Sequence, residues 1–589
     1  MRSVKPTNTL VNRSVAHRGP GQPSKQTPKC VRAINRAIVQ AALTGGELPL
    51  DAALAETQQV SERTVRTIRL DLLGLNRYEL KHWHRQGQSN SAVASPAERE
   101  LICATPFAGV WLLVPQLLAL GLGKAAAQLK MVGRTRVWGI QIVLTLVAWA
   151  ALGIQRLYHM DDFRNGADMG LALFTGALHL WSDTTVWRWV HGLTPESAAA
   201  FYQATVGRVV RQPGSRGCFS LDDHVVPSFT KLKPRRLGQT RVPTRGRSYP
   251  AFRLYAPFDL DLGRFAGVIV RKARESLSQV VSAALAELRQ LRHQAGVAEP
   301  DQVRLILDRG AYKGRLFETL MDDPQVSFIA MARATQVNVR QWEALPESDF
   351  QPYQPAGDDN PNLKIALAHT RIKDCRHPMP SVVIRDDTPK TQQRWRALFY
   401  QNPPGRRPHL EAIDAEYRQR QNHEIGFAQY IHALAGHSLP KAYEMTRVPN
   451  AQGQKRQTVA TAETPWSQQA VQFVAWIKFL TFNLIKDLGR ALGGECATWQ
   501  VATLVRRFLL RPGRLYLQAS YLIVQLDPFC GDDKLTSYIP KLNKQQWHIP
   551  WLSGLVLHME IAEKPEGLAA VPQVLGEKIL ANSGRVCLV

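Results

Sequence analysis

The stretch "GCFSLDDHVVPSF", residues 217–229, breaks with everything before it. Phe219, Leu221, Val225 and Val226 make it a β-rich run, and two adjacent carboxylates, Asp222 and Asp223, interrupt that run. A carboxylate on a strand that otherwise reads as buried must be paired, protonated or bound to a cation, because desolvating a lone charge is expensive. Side chains alternate across a strand, so only one of the two would be sent to a metal bound there.

Forward from this point, "AFRLYAPFDL" (251–260) and "RFAGVIVRKA" (264–273) read as two further strands after a basic, Gly- and Pro-containing loop. Their spacing predicts an antiparallel meander. "ARESLSQVVSAALAELRQLRHQAG" (273–296) reads as a helix. In "VRLILDRGAYKGRLFETLMDD" (303–323) an apolar strand ends at Asp308 and a helix follows, and "VSFIAMARA" (326–334) is the next buried strand. The order β-β-β-α-β-α-β is thus legible from pattern, and the fold class is mixed α/β. Residues 335–410 read as an insertion, with "LKIALAHTRI" (363–372) and "SVVIRD" (381–386) as short strands. A helix with "YRQRQNHEIGFAQY" (417–430) comes next, then a long apolar helix at 468–492. On one helix Tyr417, Arg420 and Glu424 lie near one face.

Backward from residue 217, helical patterns dominate from 101 to 212, which predicts an all-helical domain. Two charge-free runs there, 101–123 and 137–154, each reach the roughly 18 to 20 residues that a membrane span requires. Pro106, Pro115 and three glycines break the first, and Gln141 and Thr145 interrupt the second, which favours buried helices over a membrane hairpin. Residues 87–100 are small and polar, as in a linker. Upstream, Ser61 is placed to cap a helix preceded by a short helix and a turn. That is the outline of a helix-turn-helix, with Arg63, Thr64 and Arg66 on its recognition face; the alternative is an amphipathic helix with solvated arginines. The first 30 residues carry basic side chains without an apolar h-region and read as a disordered basic arm rather than a signal peptide.

Across the 589 residues, 74 Lys and Arg oppose 48 Asp and Glu, for a net charge of +26. The basic residues are spread over every segment, which favours nucleic acid as the partner. Seven cysteines without C-x-x-C spacing indicate neither a zinc knuckle nor a disulfide framework, and a reducing cytoplasm is the expected location.

Three carboxylates then stand out by place: Asp222 on the first strand, Asp308 at the end of the fourth, and Glu424 on the helix after the insertion. Singly, each has a plain explanation: an edge-strand surface residue, a helix cap, and an i,i+4 partner of Arg420. Converging, they form a site for hard cations such as Mg²⁺ or Mn²⁺.

"SLDDHVVP" (220–227), "LILDRGAYKG" (305–314) and "YRQRQNHEIGF" (417–427), in this order, resemble the three blocks of bacterial insertion-sequence DDE transposases with an RNase H-like catalytic core. In one group of these enzymes the third block reads Tyr, two residues, Arg, three residues, Glu, six residues, Lys. Tyr417, Arg420 and Glu424 match the first three, and Ile431 stands at the lysine position. The same group carries a β-rich insertion before the glutamate helix. Residues 156–190 also resemble the helical region that precedes the core in such enzymes.

The resemblance implies a core at 213–334 and 411–492, split by the insertion at 335–410. It follows the arm at 1–30, the helix-turn-helix at 31–86, the linker at 87–100 and the helical domain at 101–212. An α+β appendage at 493–589 comes last. It implies DNA transposition: metal-dependent cleavage at element ends and strand transfer to target DNA, by a homo-oligomer assembled on DNA. Asp222, Asp308 and Glu424 are then catalytic ligands of two Mg²⁺ or Mn²⁺ ions, and Tyr417 and Arg420 hold DNA. Asp222 is chosen over Asp223 because the family's ligand comes first, with a small polar residue two positions later, here His224. The alternatives are a transposase relic that only binds DNA and a membrane-anchored protein.

Overall fold

The computed structural model describes positions 33, 34 and 37, residues 51–66, and residues 99–563 apart from 132–136, 166–167, 228–238, 243–246, 389–393, 404, 406–408, 441–445, 450–455, 460–467 and 530–531. The chain forms two compact units, Met1–Val93 and Ala94–Val589.

In the first unit a helix at Asp51–Thr57 is followed by a turn in which Gln59 takes a φ of 52°. Ser61 Oγ then accepts the Thr64 N–H at 3.1 Å, which caps the next helical turn as the sequence predicts. Thr64 does not share the exposed face on which it was predicted. Thr64 is only 8% exposed, because its hydroxyl folds back onto Ser61 Oγ at 2.9 Å and its neighbour Val65 is fully buried. Arg63 is exposed, and Arg66 is exposed beside Asp51 at 3.7 Å. The predicted continuation of that helix and the predicted basic arm lie outside the described residues.

The second unit opens with a strand where helix was expected. β1 (Glu100–Thr105) is followed by a 3-10 turn at Ala108–Leu113 and short helices at Val114–Ala119 and Leu122–Ala126. Pro115 sits at the start of the first of these helices, so the apolar run is chopped into pieces too short to span a bilayer. The second run gives α1 (Gly139–Ala151), 13 residues or about 20 Å, against the roughly 30 Å of a hydrocarbon core. Among the described residues no helix is long and apolar enough to cross a membrane. α2 (Pro195–Val210) is capped by Thr194, whose hydroxyl accepts from Ser197.

Asp168 caps the helix at Met169–Phe174: Oδ1 accepts the Leu171 N–H at 2.8 Å, and Thr105 Oγ1 donates to it at 3.0 Å. Burial outweighs these donors and pushes its carboxyl up to about 6. A folded value above the unfolded one means stability that is present below about pH 4 and is lost as pH rises through 6. Asp168→Asn keeps the acceptor and removes the charge. We expect it to be more stable than the wild type at pH 7.5, by roughly 3 kcal/mol, with the gap closing below about pH 4. A constant gap across that range would sink the assignment.

The core sheet begins with β2 (Cys218–Pro227), β3 (Gln239–Val242), β4 (Arg247–Asp259), β5 (Arg264–Phe265) and β6 (Ile269–Lys272). After α3 (Leu277–Gln294) come β7 (Val303–Leu307), α4 (Gly314–Met321) and β8 (Val326–Met331). The insertion supplies β9 (Gln351–Pro352), β10 (Leu363–Thr370), β11 (Met379–Asp386) and β12 (Trp395–Gln401). The strand order is β3-β4-β2-β7-β8-β12-β11-β10-β9, with β5 and β6 also paired to β4. β2 runs antiparallel to β4 and parallel to β7, and β8 is parallel to β7. β12 pairs antiparallel with β8, so the insertion extends the core sheet instead of standing off it. β7 and β8 are nearly continuous apolar runs, as strands covered on both faces require.

The chain then forms α5 (Leu410–Arg418), α6 (Gln421–Ala433), a β13–β14 hairpin (Thr446–Pro449, Arg456–Val459) and α7 (Gln468–Leu492). α7 packs on α1, α2, β5 and β6, and buries its apolar residues on all sides. Beyond it lie β15 (Gly513–Gln518), β16 (Tyr521–Leu526), β17 (His548–Ile549) and β18 (Leu555–Ile561). Their sheet has the order β1-β15-β16-β18-β17, so one of its two edge strands comes from residues 100–105.

Candidate active site

Register places the first two carboxylates side by side. Leu221 of β2 lies opposite Leu307 of the parallel strand β7, so Asp222 and Asp308 are the next residues on adjacent strands. This is the carboxyl end of the parallel pair, where open α/β sheets put their ligands. Asp308 precedes a 3-10 turn and makes no side-chain capping hydrogen bond to it. The cap explanation for Asp308 is thereby removed.

Glu424 comes from α6, and α6 is a separate helix. The predicted single helix breaks after Arg418, and Arg420 occupies the N-cap of α6, with Glu424 in the first turn. A carboxylate there is favoured by the partial positive charge of the helix start. Two contacts hold α6 to the sheet beside Asp222. His423, fully buried, bonds Ser220 Oγ of β2 through Nδ1 at 3.0 Å and stacks on Phe258 at 5.1 Å. Gly426 lets the helix lie close, since a Cβ there would stand 3.1 Å from the Phe258 ring. Burial, with Arg420 adding, holds the His423 imidazole down to about 3, so it is a neutral packing group.

The three carboxylates meet at the guanidinium of Arg420. Nη1 lies 3.0 Å from Asp222 Oδ2, Nη2 lies 4.0 Å from Asp308 Oδ1, and Nη2 also pairs closely with Glu424 Oε1. Burial pushes the Asp222 carboxyl up to about 6, Asp308 adding to this while the Asp223 N–H and Arg420 pull it down. Among the described residues no group of three or more His, Cys, Asp and Glu side chains is set to hold a metal ion. The guanidinium stands between the oxygens that would have to meet on one.

Asp223 faces elsewhere. It pairs at 2.6 Å with Arg253 on β4, whose Nε donates to the Ala273 carbonyl. Tyr417, expected at the DNA, is 6% exposed and offers no platform to a base. Its ring lies under Arg420, with the guanidinium 5.7 Å from its centroid, and so braces the arginine. Ile431, at the family's lysine position, is half-buried. No cation of α6 replaces it.

Three features had no forecast from sequence. Lys478 of α7, fully buried, donates to the carbonyls of Leu434 and Ala435 at 3.2 and 2.5 Å and lies 3.8 Å from the Trp149 ring centroid. It satisfies the end of α6, and in sequence it looks like a mere interruption of an apolar helix. His224 and His437 approach through Nε2 at 2.8 Å and tie the middle of β2 to the turn after α6. A basic lip flanks Asp308: Arg309, Lys313 and Arg333 are exposed, and none forms an ion pair with a described carboxylate. Arg333 is fixed there by the Tyr312 ring at 5.7 Å and by the Arg309 carbonyl at 3.2 Å. "DRGAYKG" carried the signal for two of these cations.

No protein-family model matches the chain, and no curated protein matches it. Solved structures that resemble it include the following two. One is described as a cryo-EM structure of the piggyBac transposase synaptic complex with hairpin DNA; it is 9% identical, with a TM-score of 0.34, over 70% of this chain and 83% of that one. The other is the C-terminal lobe of a budding yeast Argonaute, 9% identical, with a TM-score of 0.18, over 57% of this chain and 61% of that one.

Proposed function

We propose that this chain is a DDE transposase with an RNase H-like core, which cleaves DNA at element ends and joins those ends to target DNA. The observation that carries the reading is the meeting of Asp222, Asp308 and Glu424, from two adjacent strands and one helix, at a single cationic point. The strand order β6-β4-β2-β7-β8, with α3 and α4 as crossovers, supports the same reading.

The donor set suits Mg²⁺ or Mn²⁺: carboxylate oxygens only, gathered around one cation in a site where burial raises Asp222 and Asp308 adds to it. Asp222, Asp308 and Glu424 are the residues that would hold two such ions. What the ions supply when bound is Lewis acidity at the attacking and leaving oxygens of a phosphodiester. The chain's own residues do the rest. The register of β2 and β7 sets two carboxylates abreast, His423 and Lys478 fix the two ends of the glutamate helix, and Tyr417 supports Arg420. Arg309, Lys313 and Arg333 take phosphates beside Asp308, within the field of a protein of charge +26.

The test is incubation of the full chain with its own flanking DNA and Mg²⁺, with defined cleavage at the element ends expected and EDTA abolishing it. Retained end binding without any cleavage would favour the DNA-binding relic, the reading that Ile431 suggests. Arg309→Ala and Arg333→Ala are expected to weaken binding to all duplexes alike and to reduce the salt slope by about 1 each. An unchanged slope would remove the basic lip from the interface.

A further inference from the structure

Arg420 is placed as no ordinary DNA-contacting arginine would be. It is 14% exposed, and among the described residues it is the cation paired with each of Asp222, Asp308 and Glu424, with no second cation joining any of those pairs. Three carboxylates without it would face one another across a partly buried site, and like charges at such range oppose folding. The planar fork of the guanidinium is the side chain suited to meet several carboxylates at once.

The same contacts exclude a divalent cation held by all three groups. A magnesium ion needs oxygens at about 2.1 Å, on the sides of those carboxylates that the guanidinium now faces. Two cations sharing one set of oxygens also repel each other. The backbone offers a place for change, because Arg420 sits at the junction of α5 and α6, with one helix ended at Arg418 and the next beginning at Gln421.

We propose that Arg420 is the resident counter-cation of the carboxylate site: it positions Asp222, Asp308 and Glu424 while no divalent ion is bound, and it is displaced when the ion binds. The proposal rests on the reading of these three carboxylates as the cation site. Arg420 thereby sets the affinity for metal as well as the geometry into which the metal enters. It acts through the carboxylates and is a positioning residue.

The experiment compares wild type, Arg420→Gln and Arg420→Lys for Mn²⁺ affinity, by titration followed with electron paramagnetic resonance, and for melting temperature with EDTA and with Mg²⁺. Arg420→Gln is expected to bind Mn²⁺ about tenfold more tightly, a change of roughly 1.4 kcal/mol. It should also melt lower than wild type in EDTA and gain more from Mg²⁺. Arg420→Lys keeps the charge but not the fork, so it falls between the two in affinity and keeps the proposal testable should the glutamine variant not fold. Asp222→Asn combined with Arg420→Gln should lose the Mn²⁺ site. Equal Mn²⁺ affinity in wild type and both variants, lost in the Asp222→Asn combination, overturns the displacement while leaving the metal site standing. No Mn²⁺ binding by any folded variant overturns the metal site itself, and binding that survives Asp222→Asn places the ion elsewhere and overturns both.

Discussion

Replacement of Asp222, Asp308 or Glu424 by alanine is expected to lower the proposed element-end cleavage by about 10³-fold or more, roughly 4 kcal/mol of barrier, and to leave affinity for the same DNA nearly unchanged. The separation follows from where the charges lie. The carboxylates surround Arg420, whereas Arg309 and Arg333 are exposed beside Asp308 and are the cations proposed to supply the salt-dependent affinity. Gel-shift affinity and single-turnover cleavage, measured on one labelled end substrate, read the two effects separately. Asp223→Ala is the internal control, because Asp223 is committed to Arg253 on the neighbouring strand, and its loss in rate should be well below that of Asp222→Ala. Cleavage by Asp308→Ala at near the wild-type rate would remove Asp308 from the site and end the catalytic reading.

The second large effect concerns the union of the early and late parts of the second unit. Gly109 donates its N–H to the Arg511 carbonyl at 3.1 Å, and a Cβ at position 109 would stand 1.8 Å from the carbonyl oxygen of Phe508 and 2.9 Å from that of Leu509. Backbone oxygens cannot swing aside as a long side chain does. The 3-10 turn at Ala108–Leu113 and the π-helical turn at Val505–Leu509 must therefore part. Gly109→Ala is expected to lose about 3 kcal/mol or more of stability. Gly123→Ala is the matched control: it lies in a short helix with nothing within 4 Å of the added Cβ, and should be neutral or stabilising by up to about 1 kcal/mol. Chemical denaturation of both variants checks the difference. Equal stability would mean that residues 108–113 do not pack on 505–509.

Much of the site was legible because its residues sit at positions a linear pattern marks. Asp222 interrupts a strand, Asp308 ends one, and Glu424 follows Arg420 by one helical turn. Thr64 and Tyr417 were misplaced for a common reason. Helical spacing says which residues share a face, but not whether that face is turned to solvent, and both side chains are turned inward. β1 was read as helix because its apolar character runs on without a break into the following turns, and an uninterrupted apolar run carries no period.

Local elements follow from the order of residues: strand alternation in β2, buried runs in β7 and β8, caps at Ser61 and Thr194, breakage at Pro115, and an excess of positive charge. These depend on neighbours within a few residues, which the sequence states. The tertiary structure alone decided that Leu221 stands opposite Leu307 and that β1 joins β15 some four hundred residues away. It alone decided that Asp223 turns to Arg253, that Lys478 closes the glutamate helix, and that Arg420 stands among three carboxylates. Each of these pairings is chosen by burial and by the need of a desolvated charge for a partner. That choice is made in space among residues distant along the chain, and no local spacing records it.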